Sequence, residues 1–190
     1  MIAAAPWAES LSPEDLLRLR AELFALYDAL DQAVSAHAPS CALSGRCCRF
    51  REYGHTLFLS EPEGVLLVAD APPPLRPLDA GESCPWQDRL GLCTARAARP
   101  LACRVFFCDP KFESAALALC ETFLSRLKQI CEIQGWPWNY APLHQHLEEA
   151  LRQGRLASAG ACGGADLKLT SVLACDPSPS RETSEDESRK

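Results

Sequence analysis

The chain has 190 residues, enough for one domain of ordinary size with appendages, and about half of them are apolar, so a core can form without covalent staples. Its 25 acidic against 19 basic side chains leave a formal charge of −6, which argues against the cationic surface that tracks a nucleic-acid backbone. No apolar run reaches the roughly 20 residues of a membrane span, and Met1–Ala5 lacks the basic start and longer apolar region of a signal peptide, so the chain reads as cytoplasmic.

The first predicted element is a long helix. Ser12 can cap it, Pro13 suits its first turn, and Glu14 and Asp15 complement the N-terminal dipole. Leu16, Leu19, Leu23, Leu26, Leu30 and Val34 recur at spacings of three and four and form one apolar stripe, which ends near His37–Pro39. From Cys41 to Phe50 the run of Cys, Gly and Arg predicts no regular structure. His55–Leu59 reads as a short strand, and Ser60-Glu-Pro-Glu63 is a capping box opening a helix to about Asp70. Four prolines between 72 and 77 predict an extended connector into a second cysteine-bearing loop over 81–108. Asp109-Pro110 then predicts the start of a helix running to about 134, with Ala116, Cys120, Phe123, Leu127, Ile130 and Cys131 as its stripe and Gly135 as its stop. Trp136–Tyr140 reads as an aromatic turn pinning two helices together. A last helix starts at Pro142, carries Leu143, Leu147 and Leu151, and stops at Gly154. After residue 155 the pattern fails, and the Asp-, Glu-, Ser- and Arg-rich end predicts a disordered tail over 155–190.

Cysteine is the anomaly, at 11 residues. The count is odd, so a complete set of intramolecular disulfides is impossible, and in a reducing compartment clustered thiols signal metal or redox chemistry. Two segments carry the cluster: CALSGRCCR at 41–49 and CPWQDRLGLCTARAARPLACR at 84–104, with Cys108 just beyond. Thiolates are soft ligands suited to zinc and to iron–sulfur iron, and short local spacings let one loop turn several sulfurs toward a common point. Arg46, Arg49, Arg51, Arg89, Arg96, Arg99 and Arg104 lie within a few residues of these thiols, and their charge would offset the negative charge of a thiolate-bound metal. Cys108 directly precedes the predicted helix start at 110, a position that favours a thiolate.

The pair Cys47-Cys48 followed by Arg49, then Cys84, Cys93 and the run Arg99-Pro-Leu-Ala-Cys103-Arg104, resembles the YkgJ-type family of cysteine-cluster proteins, described as a zinc- or iron-chelating "CxxxCC" domain. The resemblance covers about residues 40–108. It implies Cys41, Cys47, Cys48, Cys84, Cys93 and Cys103 as metal ligands, with Cys108 as a further candidate, and it implies no settled reaction. Many members carry one more cysteine between the first and the adjacent pair, where this chain has Ser44.

The expected fold class is therefore mainly α, a small helical domain over 1–154 with an irregular, metal-centred cysteine-rich region at 41–108 and minor β. The arginine excess and the irregular spacing favour an iron–sulfur cluster, of the 4Fe-4S type, over zinc. The alternatives are a zinc-binding structural or metal-handling protein and an iron–sulfur-dependent enzyme of unknown reaction; no phosphate-cradling loop, Ser/His/Asp arrangement or paired acids supply chemistry of another kind. Cys120 and Cys131 share the helical stripe and read as packing residues, Cys162 and Cys175 as free thiols of the tail. His144 and His146 do not form a two-histidine motif, and His55 alone of the histidines is kept as a further ligand candidate.

Overall fold

In the computed structural model, residues 7–79 and 81–156 are described. Among them the architecture is mainly α, with six α-helices and one two-stranded sheet. Helix α1 spans Pro13–Ser35, and its capping box is complete: the Ser12 hydroxyl takes the Asp15 N–H while the Asp15 carboxylate takes the Ser12 N–H. Short helix α2 (Phe50–Tyr53) follows a 3-10 turn at Arg46–Cys48. Strand β1 (Phe58–Ser60) leads into α3 (Glu61–Asp70), again opened by a complete capping box, between Ser60 and Glu63. Helix α4 (Leu101–Val105), α5 (Glu113–Gln134), β2 (Tyr140–Pro142) and α6 (Leu143–Arg152) complete the order. The strands are antiparallel, with Phe58 opposite Pro142 and Ser60 opposite Tyr140.

Several boundaries differ from the sequence reading. Helix α5 begins at Glu113 rather than 110, because Asp109 is occupied elsewhere: its carboxylate takes the backbone N–H groups of Ser40 and Lys111, and residues 109–112 form a turn. Cys108 is therefore not at a helix N-terminus. Helices α2 and α4 interrupt segments expected to be irregular, and the Trp136–Tyr140 turn ends in a strand. Arg155 and Leu156 continue the folded chain, with Leu156 buried, so the predicted tail does not begin at 155; its remainder, with Cys162 and Cys175, lies outside the described residues.

Two apolar cores meet along α3. The first packs Leu19, Leu23, Leu30 and Val34 of α1 against Val65 and Leu66 of α3, Leu101 and Val105 of α4, and Phe123, Leu127 and Cys131 of α5. The second gathers Phe50, Leu57, Leu59, Leu67, Trp86, Leu143, Leu147 and Leu156, and it includes the thiols of Cys48 and Cys84. Glu63 sits at the junction, 1% exposed. Its carboxylate accepts from the Tyr27 hydroxyl (3.1 Å), the Leu101 N–H (2.7 Å) and the Ser60 N–H (3.0 Å), so one side chain ties α1, α3 and α4 together.

Candidate metal centre

The first cysteine loop is shaped by Gly45, which sits in the left-handed region at φ +68°. A Cβ there would meet Gln87 Nε2 at 2.4 Å and the Gly91 carbonyl oxygen at 2.7 Å, so only glycine allows the second loop to close on the first. Gln87, 2% exposed, donates to the carbonyls of Gly45 (3.0 Å) and Gly91 (3.3 Å). The Cys84 N–H donates to the Cys48 carbonyl at 2.8 Å, a direct backbone bond between the two cysteine segments. The second loop is a small hairpin: Gln87 bridges Cys93, Thr94 N–H reaches the Trp86 carbonyl, and Asp88 closes the turn. Trp86 is buried and donates its indole N–H to the Pro72 carbonyl at 2.6 Å, which anchors the hairpin to the proline-rich connector. Gln87 and Trp86 are the supports that spacing arguments missed; their one sequence signal is position, directly inside the cysteine segment.

These loops enclose a cavity of about 260 Å³ whose lining includes Cys41, Cys47, Cys48, Cys84, Cys93, Cys103 and Cys108. All seven predicted ligand residues thus border one space. Cys120 and Cys131 do not; they pack in the first core, as their shared stripe predicts. Within the cavity, Cys48 is the hub. Its sulfur lies 3.9 Å from that of Cys47, and the neighbouring thiols of Cys84 and Cys93 act on it electrostatically. The described cysteines are all free thiols, and no group of three or more His, Cys, Asp or Glu side chains among the described residues is arranged to hold a metal ion as it stands.

The thiols are electrostatically unlike one another. Hydrogen bonding from Cys48, helped by the charge of Arg99, lowers Cys47 to about 6 despite its burial. The same partner, with the Ala95 N–H, lowers Cys93 to about 7. Cys48, which supplies those bonds, is pushed up, and Cys103 is pushed up chiefly by burial and then by the neighbouring sulfurs. Outside the cavity, burial raises Cys131 to about 11.

The seven arginines divide. Arg46, Arg96 and Arg99 line the cavity. Arg49 pairs with Glu52 and donates to the Ser44 carbonyl, and Arg51 pairs with Glu82. Arg104 is 7% exposed and lies over the Tyr27 ring; it donates to Asp31 (2.6 Å) and to the carbonyls of Ala97 and Arg99. Its work is structural, holding the 97–99 turn on α1, and Arg89 is not on the cavity either. The expectation that all seven offset the thiolates therefore narrows to three. His55 is also excluded from the lining: its ring lies between Phe50 and Phe106, with Nε2 3.5 Å from the Cys47 carbonyl oxygen. His146 is buried, bonds the Leu59 carbonyl through Nε2 and is lowered by desolvation, so it is a neutral core residue.

Comparison of the chain with known protein families, curated proteins and solved structures finds no match. Among the described residues, no helix is long and apolar enough to cross a membrane.

Proposed function

We propose that this chain is a metal-binding cysteine-cluster protein that holds an iron–sulfur cluster through thiolates of its two arginine-rich loops. The observation that carries the reading is the convergence of seven cysteines, from segments 41–48, 84–93 and 103–108, on one cavity. Thiols retained only as small apolar residues would scatter through the core as Cys131 does.

The donor set fits the group. Cys47, Cys48, Cys84, Cys93 and Cys103 line the same cavity and supply, in number and kind, the four protein sulfurs that a common iron–sulfur cluster uses. The cavity's 260 Å³ exceeds what a single ion needs, given that a water's share of the liquid is about 30 Å³. Bound there, a cluster supplies one-electron transfer or a rigid cross-link between the loops. The protein's own part is to exclude water with Phe50, Leu57, Trp86 and Leu143, and to offset thiolate charge with Arg46, Arg96 and Arg99. The motif resemblance to the YkgJ-type proteins rests on the same cysteines and points the same way. Free thiols in this number also favour the reducing cytoplasm.

Zinc is the second reading, since the same cavity also supplies the four thiols of a structural zinc site. The protein would then be a structural or metal-handling one. The test is metal, sulfide and absorption analysis of protein purified without oxygen. A brown preparation with broad sulfide-to-iron absorption and acid-labile sulfide is expected. A colourless one holding stoichiometric zinc, and taking up no iron or sulfide on anaerobic reconstitution, decides for zinc.

A further inference from the structure

Seven thiols exceed the four that either a cluster or one zinc ion uses, and the surplus is not distributed at random. Cys48 and Cys84 are buried, Cys47, Cys93 and Cys103 half-buried, and Cys41 is exposed. Cys41 and the half-buried Cys108 come from opposite ends of the cysteine region, yet they are held to the same cavity. The clamp is specific. Ser40, directly before Cys41, donates its N–H (3.0 Å) and its hydroxyl (3.2 Å) to one carboxylate oxygen of Asp109, directly after Cys108. The other Asp109 oxygen takes the Lys111 N–H, and these bonds hold its carboxyl below the usual range.

A third donor joins them. Ser44 Oγ lies 3.5 Å from Cys108 Sγ, and directly before it Leu43, a non-glycine residue, adopts φ +49°. Such a conformation is disfavoured for a residue with a side chain and persists where the surroundings enforce it. Leu43 gains nothing from burial in return, being 61% exposed. The 40–44 segment is thus clamped and strained where it brings Cys41 and Ser44 to the cavity beside Cys108, and Cys41 is the exposed thiol of a lining whose Cys48 and Cys84 are buried.

We infer that Cys41 and Cys108, with Ser44, form an exchange port: they take a thiophilic metal from a thiolate-bound carrier and pass it to the inner thiols, without being resident ligands. The inference rests on the metal-binding reading of those inner thiols. In each step one cysteine sulfur–metal bond forms as one carrier thiolate–metal bond breaks. The proton leaving the cysteine thiol goes to the departing thiolate or to solvent, and the metal keeps its oxidation state. Two thiols and a hydroxyl are too few for a closed four-coordinate site, which suits transient capture. Exchange at thiolate sites also depends on access, which Cys41 has and Cys48 lacks.

The test loads cobalt(II), supplied anaerobically as its glutathione complex, into the full chain and follows the sulfur-to-cobalt absorption with time. The Cys41→Ser/Cys108→Ser double variant should reach the same cobalt content and the same final spectrum as wild type. Its loading rate, and its rate of loss to a chelator, should each fall by about an order of magnitude. Asp109→Ala, which keeps every thiol but releases the clamp, should slow both rates with unchanged final occupancy. Lost occupancy in the double variant would make Cys41 or Cys108 a resident ligand, and unchanged rates would make both bystanders; either overturns the port. A wild-type chain that takes up no cobalt overturns the port for ions, and the metal-binding reading itself is judged by whether anaerobically purified wild type carries any metal.

Discussion

Cys48 is 5% exposed and Cys131 is 1% exposed, so burial alone does not separate a ligand candidate from a packing residue. Their neighbours do. Cys48 lines a cavity with six other cysteines, whereas Cys131 packs in the core with Phe123, Leu127 and the α1 stripe. Cys48→Ser is therefore expected to lose bound metal, by elemental analysis of anaerobically purified protein. Cys131→Ala should keep full metal content while losing roughly 1–3 kcal/mol of stability in denaturant titration, the cost of truncating a packed side chain. Metal loss from folded Cys131→Ala would reverse the assignment. Gly45 is the second informative residue. Alanine there meets both a left-handed backbone and the Gln87–Gly91 contact, so Gly45→Ala should cost at least about 1 kcal/mol and lower metal content without removing a thiol. A Gly45→Ala protein with wild-type stability and occupancy would show that the two loops do not need this close approach.

At the scale of elements, the helices were legible where one signal acted alone. Ser12 and Ser60 each precede an acidic residue at the third helical position, and both capping boxes form as written. The start of α5 was misread because Asp109 can cap a helix and can equally bind a distant backbone, and Ser40, 69 residues away, takes it. Helix α4 was not legible either, since five residues give no periodicity and its first N–H is satisfied by the Glu63 carboxylate. That contact makes Glu63 a joint between three helices, with a consequence for pH. Burial raises the Glu63 carboxyl above its usual value, against the opposing pull of its hydrogen bonds. The folded protein then holds this proton more tightly than the unfolded chain does. The stability it contributes is complete below the ordinary glutamate value of 4.5 and is lost as pH rises through the raised value. Glu63→Gln cannot titrate and leaves Ser60 N–H facing an amide N–H, so it should be less stable by roughly 1–3 kcal/mol. The gap between wild type and variant should narrow as pH rises from 4.5 toward neutrality in urea titrations. Parallel curves across that range would show that Glu63 keeps an ordinary carboxyl in the fold.

Over the whole molecule, the gathering of the cysteines was legible because segments this rich in glycine and arginine are poor core composition. The roles of the arginines were not, because proximity in sequence does not tell whether a guanidinium turns to a sulfur or to a carboxylate; Arg104 turns to Asp31 and away from Cys103. The division into two cores was also hidden, since α3 and α4 serve both. Val65 and Leu66 belong to the first core and Leu67 to the second, while Leu101 and Val105 face the first and Ala102 and Cys103 pack against the second. On the metal-binding reading, this division predicts how the protein responds to metal removal. The first core joins α1 to α5 through leucines and phenylalanines and contains none of the cavity thiols, so it has its own source of stability. The second is built around Cys48 and Cys84 on loops with little regular structure, and a structural metal contributes on the order of 10 kcal/mol to ordering such loops. Stripping the metal with a chelator under reducing, anaerobic conditions should therefore act unevenly. In hydrogen exchange read by mass spectrometry, Pro13–Ser35 and Glu113–Gln134 should keep most of their protection, while residues 41–60 and 84–100 exchange far faster. Helix α4 should fall between, held on one face by Leu101, Val105 and the Arg104–Asp31 pair and released on the other at Cys103. Equal loss in both cores would mean that they unfold as one unit, and no loss in the loops would mean that their order does not depend on a metal.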